Sequence, residues 1–560
     1  MIDFKQYIKS SIEKLGIDLK GVDVVRPPKE NMGDFALPCF ILNIEGLKNP
    51  NEKANYLLNN LKLDENIIAD MTVIGPYLNF NVNREFLAKE TLKSISIEGK
   101  KYGSSKVGEG QNLLIEHTSI NPNASPHIGR SRNSIIGDFL VRLYKFQGYN
   151  VEINYFINDI GKQISMLLVG VEKLGNIDTI KFDEMLKLYI EINEISKTDK
   201  QVEQQIFHYL NELENGNEQV REKFKRITDI CVKGQQEIFK KMDINWDRFT
   251  HESDFVFDNI TNKILEDLNK AGKLKEDENG RKYVDLTGYN IPTKSPVLVL
   301  TREDKTSLYP LRDIAYTIDK IKRNPNNNVI VLGEDQEVYM QQIAAVMDIL
   351  GYKAPKLVSY SFVLLDGDKM ATREGKVVLL EQFIEKTKEK LSISFAERGN
   401  NLSNEDLSNL AASCIRYNML NVNRKKVVNF NLEAATDFQG NSAIYLLYNY
   451  VRIRSILVKA NYNMEEGNYK YSTELEYSIL NSLYNFPSVV EDCFNSKEAV
   501  VITNYLHDLS QKFSKYYEHT SILLEEDMVV KNSRLQLLNA IKTVMLNGMN
   551  ILGIKTINKF

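Results

Sequence analysis

The chain has 560 residues, too many for one hydrophobic core, so two to four domains are expected. Hydrophobic residues at 43% and charged residues at 26% exclude a disordered or fibrous chain. A net charge of −4 excludes a general nucleic-acid-coating protein and leaves room for a discrete basic docking face.

Four cysteines, Cys39, Cys231, Cys414 and Cys493, are scattered without a CxxC pair. Neither a disulfide framework nor a zinc site is expected, which suits a reducing, cytoplasmic setting. The stretch Met1-Ile-Asp-Phe-Lys has no apolar signal core, and no apolar run approaches a membrane span, so secretion and membrane insertion are not expected.

Residues 1–106 read as a small α+β unit. A helix carrying Phe4, Ile8, Ile12 and Leu15 comes first, and strands follow at Met71–Ile74 and Tyr77–Val82. The run Lys100–Gly110 is a linker rich in Gly, Ser and Lys. Residues 107–395 alternate strand and helix, as in a doubly wound parallel sheet. Leu113-Leu114-Ile115 is a buried strand, followed by a turn of Asn121, Pro122, Asn123, Ser125 and Pro126. A helix opens at His127-Ile128-Gly129-Arg130 and keeps an apolar face through Ile135, Ile136, Phe139, Leu140, Leu143 and Tyr144. A second strand at Val151–Phe156 completes a βαβ unit, whose helix start beside a strand's carboxyl end is where such folds bind phosphates. A charged helical insertion is expected over about 165–295, with strands resuming at Val297–Leu300 and Asn328–Leu332. From 396 to 560 strand patterns vanish and a helical bundle is expected, its last helix carrying Leu535, Leu538, Ile541, Met545 and Leu546.

Five segments carry chemistry together. Asn121-Pro122-Asn123-Ala124-Ser125-Pro126-His127-Ile128-Gly129-Arg130-Ser131 resembles the HIGH signature of class I aminoacyl-tRNA synthetases, with Arg130 where the second His usually stands. Asn158-Asp159-Ile160-Gly161-Lys162-Gln163-Ile164 resembles a stretch of the arginyl-tRNA synthetases, as does Tyr309-Pro310-Leu311-Arg312-Asp313-Ile314-Ala315. Val331–Gln342 forms a strand exit and helix start that contains Gln336. Lys369-Met370-Ala371-Thr372-Arg373-Glu374-Gly375 is similar to the KMSK loop, 242 residues after His127. Resemblance to the arginyl family, from Gly33-Asp34 and Gly75–Phe80 to the closing pattern at Met545–Ile554, covers nearly the whole chain in order.

That resemblance implies arginine activation by ATP, then transfer of the arginyl group to the 3′ end of tRNA-Arg. The substrate carboxylate is already ionised, so the step needs positioned cations and amide dipoles instead of a general base. His127, Gly129, Arg130, Lys369, Met370, Thr372 and Arg373 are the expected ATP-handling residues, with Mg2+ arriving on ATP and no structural metal. Glu116, Asn121, Tyr309, Asp313 and Gln336 are the expected arginine-binding residues, because a carboxylate grips a planar guanidinium through forked bonds. The bland readings are a helix-dipole role for Asp313 and a pairing of Glu116 with a protein Arg such as Arg132. The second KMSK lysine is replaced by Thr372, and the compensating lysine before the HIGH-like turn is replaced by Ala124. Arg130, Lys369 and Arg373 are therefore expected to supply the missing charge.

The amino-terminal unit would dock on the tRNA elbow through Tyr77 and Asn79. In the bundle, Arg416, Arg424, Lys425, Lys426, Arg452 and Arg454 would meet phosphates, and Tyr448 and Tyr450 would stack on bases. The alternative for these side chains is a solvated face and a core. A monomer with no membrane contact is expected. A tRNA-binding or regulatory paralogue without activity is the competing functional reading.

Overall fold

The computed structural model describes residues 2–27, 32–257, 259–324, 327–365, 368–369, 378–463 and 469–557. Two compact units do not follow chain order: Met1–Gly103 groups with Asn449–Val489 and Tyr505–Asn547, while Ser104–Tyr448 groups with Val490–Asn504 and Gly548–Phe560.

The first unit opens with α1 (Phe4–Glu13), capped by the Asp3 carboxylate accepting from the Gln6 N–H at 3.1 Å. Its buried face is Phe4, Ile8 and Ile12, the i, i+4, i+8 stripe of the sequence. Then come β1 (Phe35–Pro38), α2 (Pro50–Asn60), β2 (Ile68–Ile74), β3 (Tyr77–Val82) and α3 (Arg84–Glu98). The three strands form an antiparallel sheet in the order β1-β3-β2. Asn79 lies on the central strand opposite Ala36 and Thr72 and is buried, so the expected RNA contact is corrected to a place in the sheet. Tyr77 stays partly exposed, edge-on to Phe40 with ring centroids 5.8 Å apart.

The second unit holds a five-stranded, wholly parallel sheet. In chain order its parts begin with β4 (Asn112–Glu116), α4 (Ile128–Phe146) and β5 (Asn150–Ile157). Helices α5 (Lys162–Leu174), α6 (Phe182–Thr198), α7 (Lys200–Glu214) and α8 (Glu218–Lys241) follow. They share a core of their own, including Leu167, Leu168, Ile192, Ile206, Phe224 and Ile227, as an amphipathic insertion requires. Next are β6 (Arg248–His251), α9 (Asp254–Phe257), α10 (Ile260–Lys270) and a small antiparallel sheet of β7 (Leu274–Glu276), β8 (Lys282–Asp285) and β9 (Val297–Val299). Then α11 (Tyr309–Arg323), β10 (Asn328–Gly333), α12 (Glu337–Ile349) and β11 (Lys356–Tyr360) complete the sheet.

The strand order is β11-β10-β4-β5-β6. From β4 the chain winds outward to β5 and β6; from β10 it winds the other way to β11. The switch point thus falls between β4 and β10, where Ile330 pairs with Glu116, and a crevice opens at their carboxyl ends. Two expectations change. Arg248–His251, inside the stretch read as inserted, is the fifth parallel strand, beside β5. Val297–Val299 belongs to the antiparallel sheet. A four-residue strand reading Arg-Phe-Thr-His has no apolar run to announce it, and a three-residue apolar run does not say which sheet it joins.

Beyond the sheet lie β12 (Val363–Leu365), β13 (Asp368–Lys369), α13 (Leu380–Glu397), α14 (Asn404–Leu420) and β14 (Val428–Phe430). Helices Ala443–Lys459, Glu474–Ser496, Val500–His519 and Met528–Leu552 end the chain. Arg416 on α14, expected at an RNA surface, is instead fully buried. It pairs with Asp138 on α4 and donates to the carbonyls of Met242 at 3.0 Å and Leu552 at 3.1 Å. Gly553, at φ +70°, leaves it room: a Cβ there would stand 2.1 Å from the guanidinium. The network ties the helix that opens at His127 to the end of the last helix. Removing one member of a buried charge pair strands the other, so Arg416→Met should cost about 3–5 kcal/mol. Chemical denaturation should show this as a lower midpoint, with part recovered when Asp138→Asn is added; an unchanged midpoint for Arg416→Met contradicts the assignment.

Candidate active site

A cleft of about 610 Å³ opens at the switch point. Its lining includes Glu116, Asn121, His127, Gly129, Arg130, Tyr309, Asp313 and Gln336, so eight residues singled out from the sequence, seven of them from three of the five segments, meet in one cavity.

The loop after β4 is shaped by strain and by buried amides. Thr118 and Ser119 sit at φ +87° and +42°, a left-handed conformation costly for a β-branched residue. The Thr118 N–H donates to Asn133 Oδ1 at 2.5 Å, and Asn133 in turn donates to the Val331 carbonyl at 2.7 Å, locking loop, helix and β10 together. From α8, the fully buried Gln235 donates to the carbonyls of Asn121 (3.1 Å) and Ala124 (2.9 Å) and accepts from the Tyr155 hydroxyl at 2.8 Å. The Asn121 amide donates to Gln163 Oε1 at 2.9 Å, so the second motif orients the first.

His127 is the N-cap of α4 and accepts, through Nδ1, the Arg130 N–H at 3.3 Å. Burial, and then the Arg130 charge, pull its pKa down to about 4. His127 is therefore neutral near pH 7, with Nε2 carrying the proton as a donor. Arg130 is exposed at the helix start. Close packing behind is set by Gly137, where a Cβ would lie 2.2 Å from the buried His117 ring.

The KMSK-like segment is held where it enters and leaves. Lys369 pairs with Leu364 between β13 and β12. On the far side the Ile128 N–H donates to Val378 (3.0 Å) and the Leu380 N–H to Pro126 (2.8 Å), beside the HIGH-like turn. Met370, Thr372 and Arg373 lie outside the described residues.

Four acids line the cleft, and three of them, Glu116, Glu252 and Asp313, are grouped about α11. Glu116, 3% exposed at the end of β4, pairs with Lys320 of α11, and the Tyr316 hydroxyl sits against it as well. Arg132, the alternative partner considered for Glu116, instead donates to the carbonyls of Ser361, Lys426 and Asn423. Glu252, at the exit of β6, accepts from Arg312 Nε at 2.6 Å and is 2% exposed. Asp313 differs from both: among the described residues it has no ion pair, only the Tyr339 hydroxyl donating to Oδ2. Burial, opposed by that hydroxyl and by Lys320 and reinforced by Glu252 and Glu116, pushes its pKa up to about 7. Tyr309, 55% exposed, leans on Tyr339 at 5.4 Å between ring centroids, and Gln336 donates to Asp335 at 2.9 Å.

Lys320, Tyr339 and Glu252 escaped the sequence reading. For Lys320 there was a signal, since it follows Asp313 by seven residues and so shares its helix face. Glu252 was hidden because its strand was. Of the expected RNA contacts in the bundle, Tyr450 is buried and corrected to a core role, Tyr448 is 38% exposed, and the Arg452 guanidinium covers the Tyr517 ring at 4.7 Å. Arg424 pairs with Glu498 and Lys425 with Glu337. Among the described residues no cluster of three or more His, Cys, Asp or Glu side chains is arranged to hold a metal ion, and no helix is long and apolar enough to cross a membrane.

Comparison with known proteins agrees along the whole chain. The family model "tRNA synthetases class I (R), catalytic domain" matches residues 91–432, "Arginyl tRNA synthetase N terminal domain" matches 3–82 and "DALR anticodon binding domain" matches 446–560. Arginine–tRNA ligases of Methanopyrus kandleri (33% identical, covering 95% of this chain and 93% of the relative) and Halothermothrix orenii (31%, covering 100% of both) are similar. The solved Thermus thermophilus arginyl-tRNA synthetase shares the fold with a TM-score of 0.83 at 23% identity, covering 100% of this chain and 99% of that one. With a parallel sheet whose switch-point cleft gathers the signature residues and relatives matched end to end, the chain belongs to the arginyl-tRNA synthetase family.

Proposed function

We propose that the cleft activates L-arginine with ATP and passes the arginyl group to the 3′ end of tRNA-Arg. What carries this reading is the asymmetry of the cleft: a carboxylate with no cation partner among the described residues, Asp313, faces a helix start bearing Arg130 and a neutral His127. Arginine's guanidinium takes Asp313, with Tyr309 and Tyr339 walling it in. Asn121 and Gln336 hold the polar head, so the carboxylate oxygen faces the α-phosphorus of ATP. That oxygen forms the new bond to phosphorus as the bond to pyrophosphate breaks. Gly129 gives the nucleotide ring a flat surface, and His127 Nε2–H donates to a phosphate oxygen.

Arg130, Lys369 and Arg373 hold the charge that grows on pyrophosphate, with Met370 and Thr372 as further contacts to ATP. Mg2+ enters as part of the MgATP substrate, bound by the phosphates. In the second step a terminal ribose hydroxyl of the tRNA attacks the arginyl carbonyl and AMP leaves. Tyr77 at the elbow, with Tyr448 and Arg452 at the anticodon end, is proposed to contact the RNA.

Three outcomes test these roles. Arg130→Ala should lower arginine- and tRNA-dependent pyrophosphate exchange by about 10²–10³-fold; near-normal exchange removes its assignment. Because the guanidinium needs an ionised Asp313, arginine affinity should rise about tenfold per pH unit below pH 7 and level off above it. A flat profile between pH 5.5 and 8 in calorimetric titration contradicts that. Finally, a raised carboxyl pKa removes stability as pH climbs from its ordinary value toward 7. Asp313→Asn should therefore melt above the parent protein at pH 8 while losing arginine binding; a lower melting point would show that the acid serves the fold.

A further inference from the structure

The pair Gly33-Asp34 has no part in the chemistry above, yet Asp34 gathers donors from two separate parts of the first unit. Its own N–H donates to the Phe80 carbonyl at 2.9 Å, and its carboxylate accepts the Val82 N–H at 2.8 Å. Asp34 is thereby tied to β3, the strand that carries Tyr77. Gly33 makes the approach possible: it sits at φ +89°, and a Cβ there would stand 3.1 Å from the Phe80 carbonyl oxygen. The same carboxylate accepts the Tyr477 hydroxyl on Oδ2 and the Asn481 amide on Oδ1, the latter at 3.4 Å. Both of these partners belong to the helix Glu474–Ser496.

Glu474, Tyr477 and Asn481 are spaced i, i+3, i+7 and so share one face of that helix. Arg84, at the start of α3, forks onto Glu474 at 2.6 and 2.8 Å and lies over the Tyr477 ring at 4.4 Å, while Arg26 donates to Asn481 at 3.1 Å. The Arg84 and Glu474 side chains are 53% and 80% exposed, so water screens that ion pair and it contributes little. Asp34 and Tyr477 are half-buried, where a hydrogen bond to a carboxylate is stronger. Elsewhere the amino-terminal region is attached by Phe4 of α1, whose ring lies 5.1 Å from that of Tyr484, and by the Tyr102 hydroxyl, which donates to the Leu483 carbonyl at 2.9 Å. Those attachments remain when Asp34 is changed. What Asp34 sets is how β3 stands against the helix.

Resting on the tRNA contacts proposed above, we propose that Asp34 is a positioning residue for tRNA. By locking β3, and with it Tyr77, onto the helix Glu474–Ser496, it fixes the span between the elbow contact and the anticodon contact at Arg452. Tyr77 and Arg452 belong to the same compact unit. An RNA held at two points gains from the second contact only when both are presented at a span it can bridge. A loosened β3 spreads that span over many values and lowers the effective concentration of the second contact. The Asp34 oxygens are taken by protein donors, so it acts through Val82 and Tyr477 and is not itself an RNA contact.

The test uses the full-length protein and measures binding of intact tRNA-Arg and of its isolated anticodon arm, together with steady-state aminoacylation. Tyr477→Phe removes the donor on the helix side and leaves Asp34 in place. It should weaken intact tRNA about five- to tenfold, in Kd and in tRNA KM. The anticodon arm, which engages one surface only, should bind as it does to the parent, with kcat and the KM values for arginine and ATP held within about twofold. Asp34→Ala should do the same, and the double variant should add nothing to either single change. Tyr477→Phe deletes one oxygen atom and keeps the test open if Asp34→Ala does not fold. An unchanged Kd for intact tRNA in Tyr477→Phe, an effect confined to Asp34→Ala, or an equal loss for the anticodon arm overturns the proposal and leaves Asp34 a residue of its own sheet. A parent protein whose tRNA affinity is unmoved by Tyr77→Ala would instead sink the elbow reading on which this rests.

Discussion

A largely desolvated carboxylate with no ion pair is costly to keep. Asp313, which has no cation partner among the described residues, is such a group, and the proposed arginine site is built on it. Its neighbours Glu116 and Glu252 are each satisfied by a protein cation, while Asp313 has a tyrosine hydroxyl and a pKa pushed up to about 7. Much of the surrounding structure reads as support for that contrast. The parallel sheet puts β4 and β10 side by side at the switch point, α11 presents Tyr309, Asp313 and Lys320 on one face, and α12 brings Tyr339 across.

The opposite wall is organised by dipoles and by a strained loop. Thr118 and Ser119 turn the chain out of β4 in a conformation L residues avoid, and buried amides from Asn133 and Gln235 hold it there. The result aims the start of α4, with Gly129 and Arg130, into the same cleft. His127 contributes as a neutral donor, because burial beside a guanidinium makes a second cation unfavourable. Positive rim and negative floor therefore come from different elements. Gln235, reaching in from α8, shows that these helices also help to shape the cleft.

Much of this was legible in the residues. The apolar stripe of α1 and the βαβ unit around α4 follow from periodicity, and the eight cleft residues from the resemblance to the family. What was not legible shares a physical cause: its signal is tertiary. Strand β6 is made of Arg, Phe, Thr and His, so its place in the sheet depends on β5 beside it. Arg416 and Asn79 look like surface polar groups until their buried partners are known. The charge state of His127 depends on burial, which a motif does not encode. Lys320 alone was within reach, seven residues along the helix from Asp313, but its partner stands at the end of a strand far away in sequence.

The most direct test of the account is a crystal structure of the protein with arginine bound. The guanidinium should lie within hydrogen-bonding distance of the Asp313 carboxylate, between Tyr309 and Tyr339, with Lys320 still on Glu116. A guanidinium found on Glu116 with Lys320 displaced, or no arginine in this cleft at saturating concentration, would contradict it.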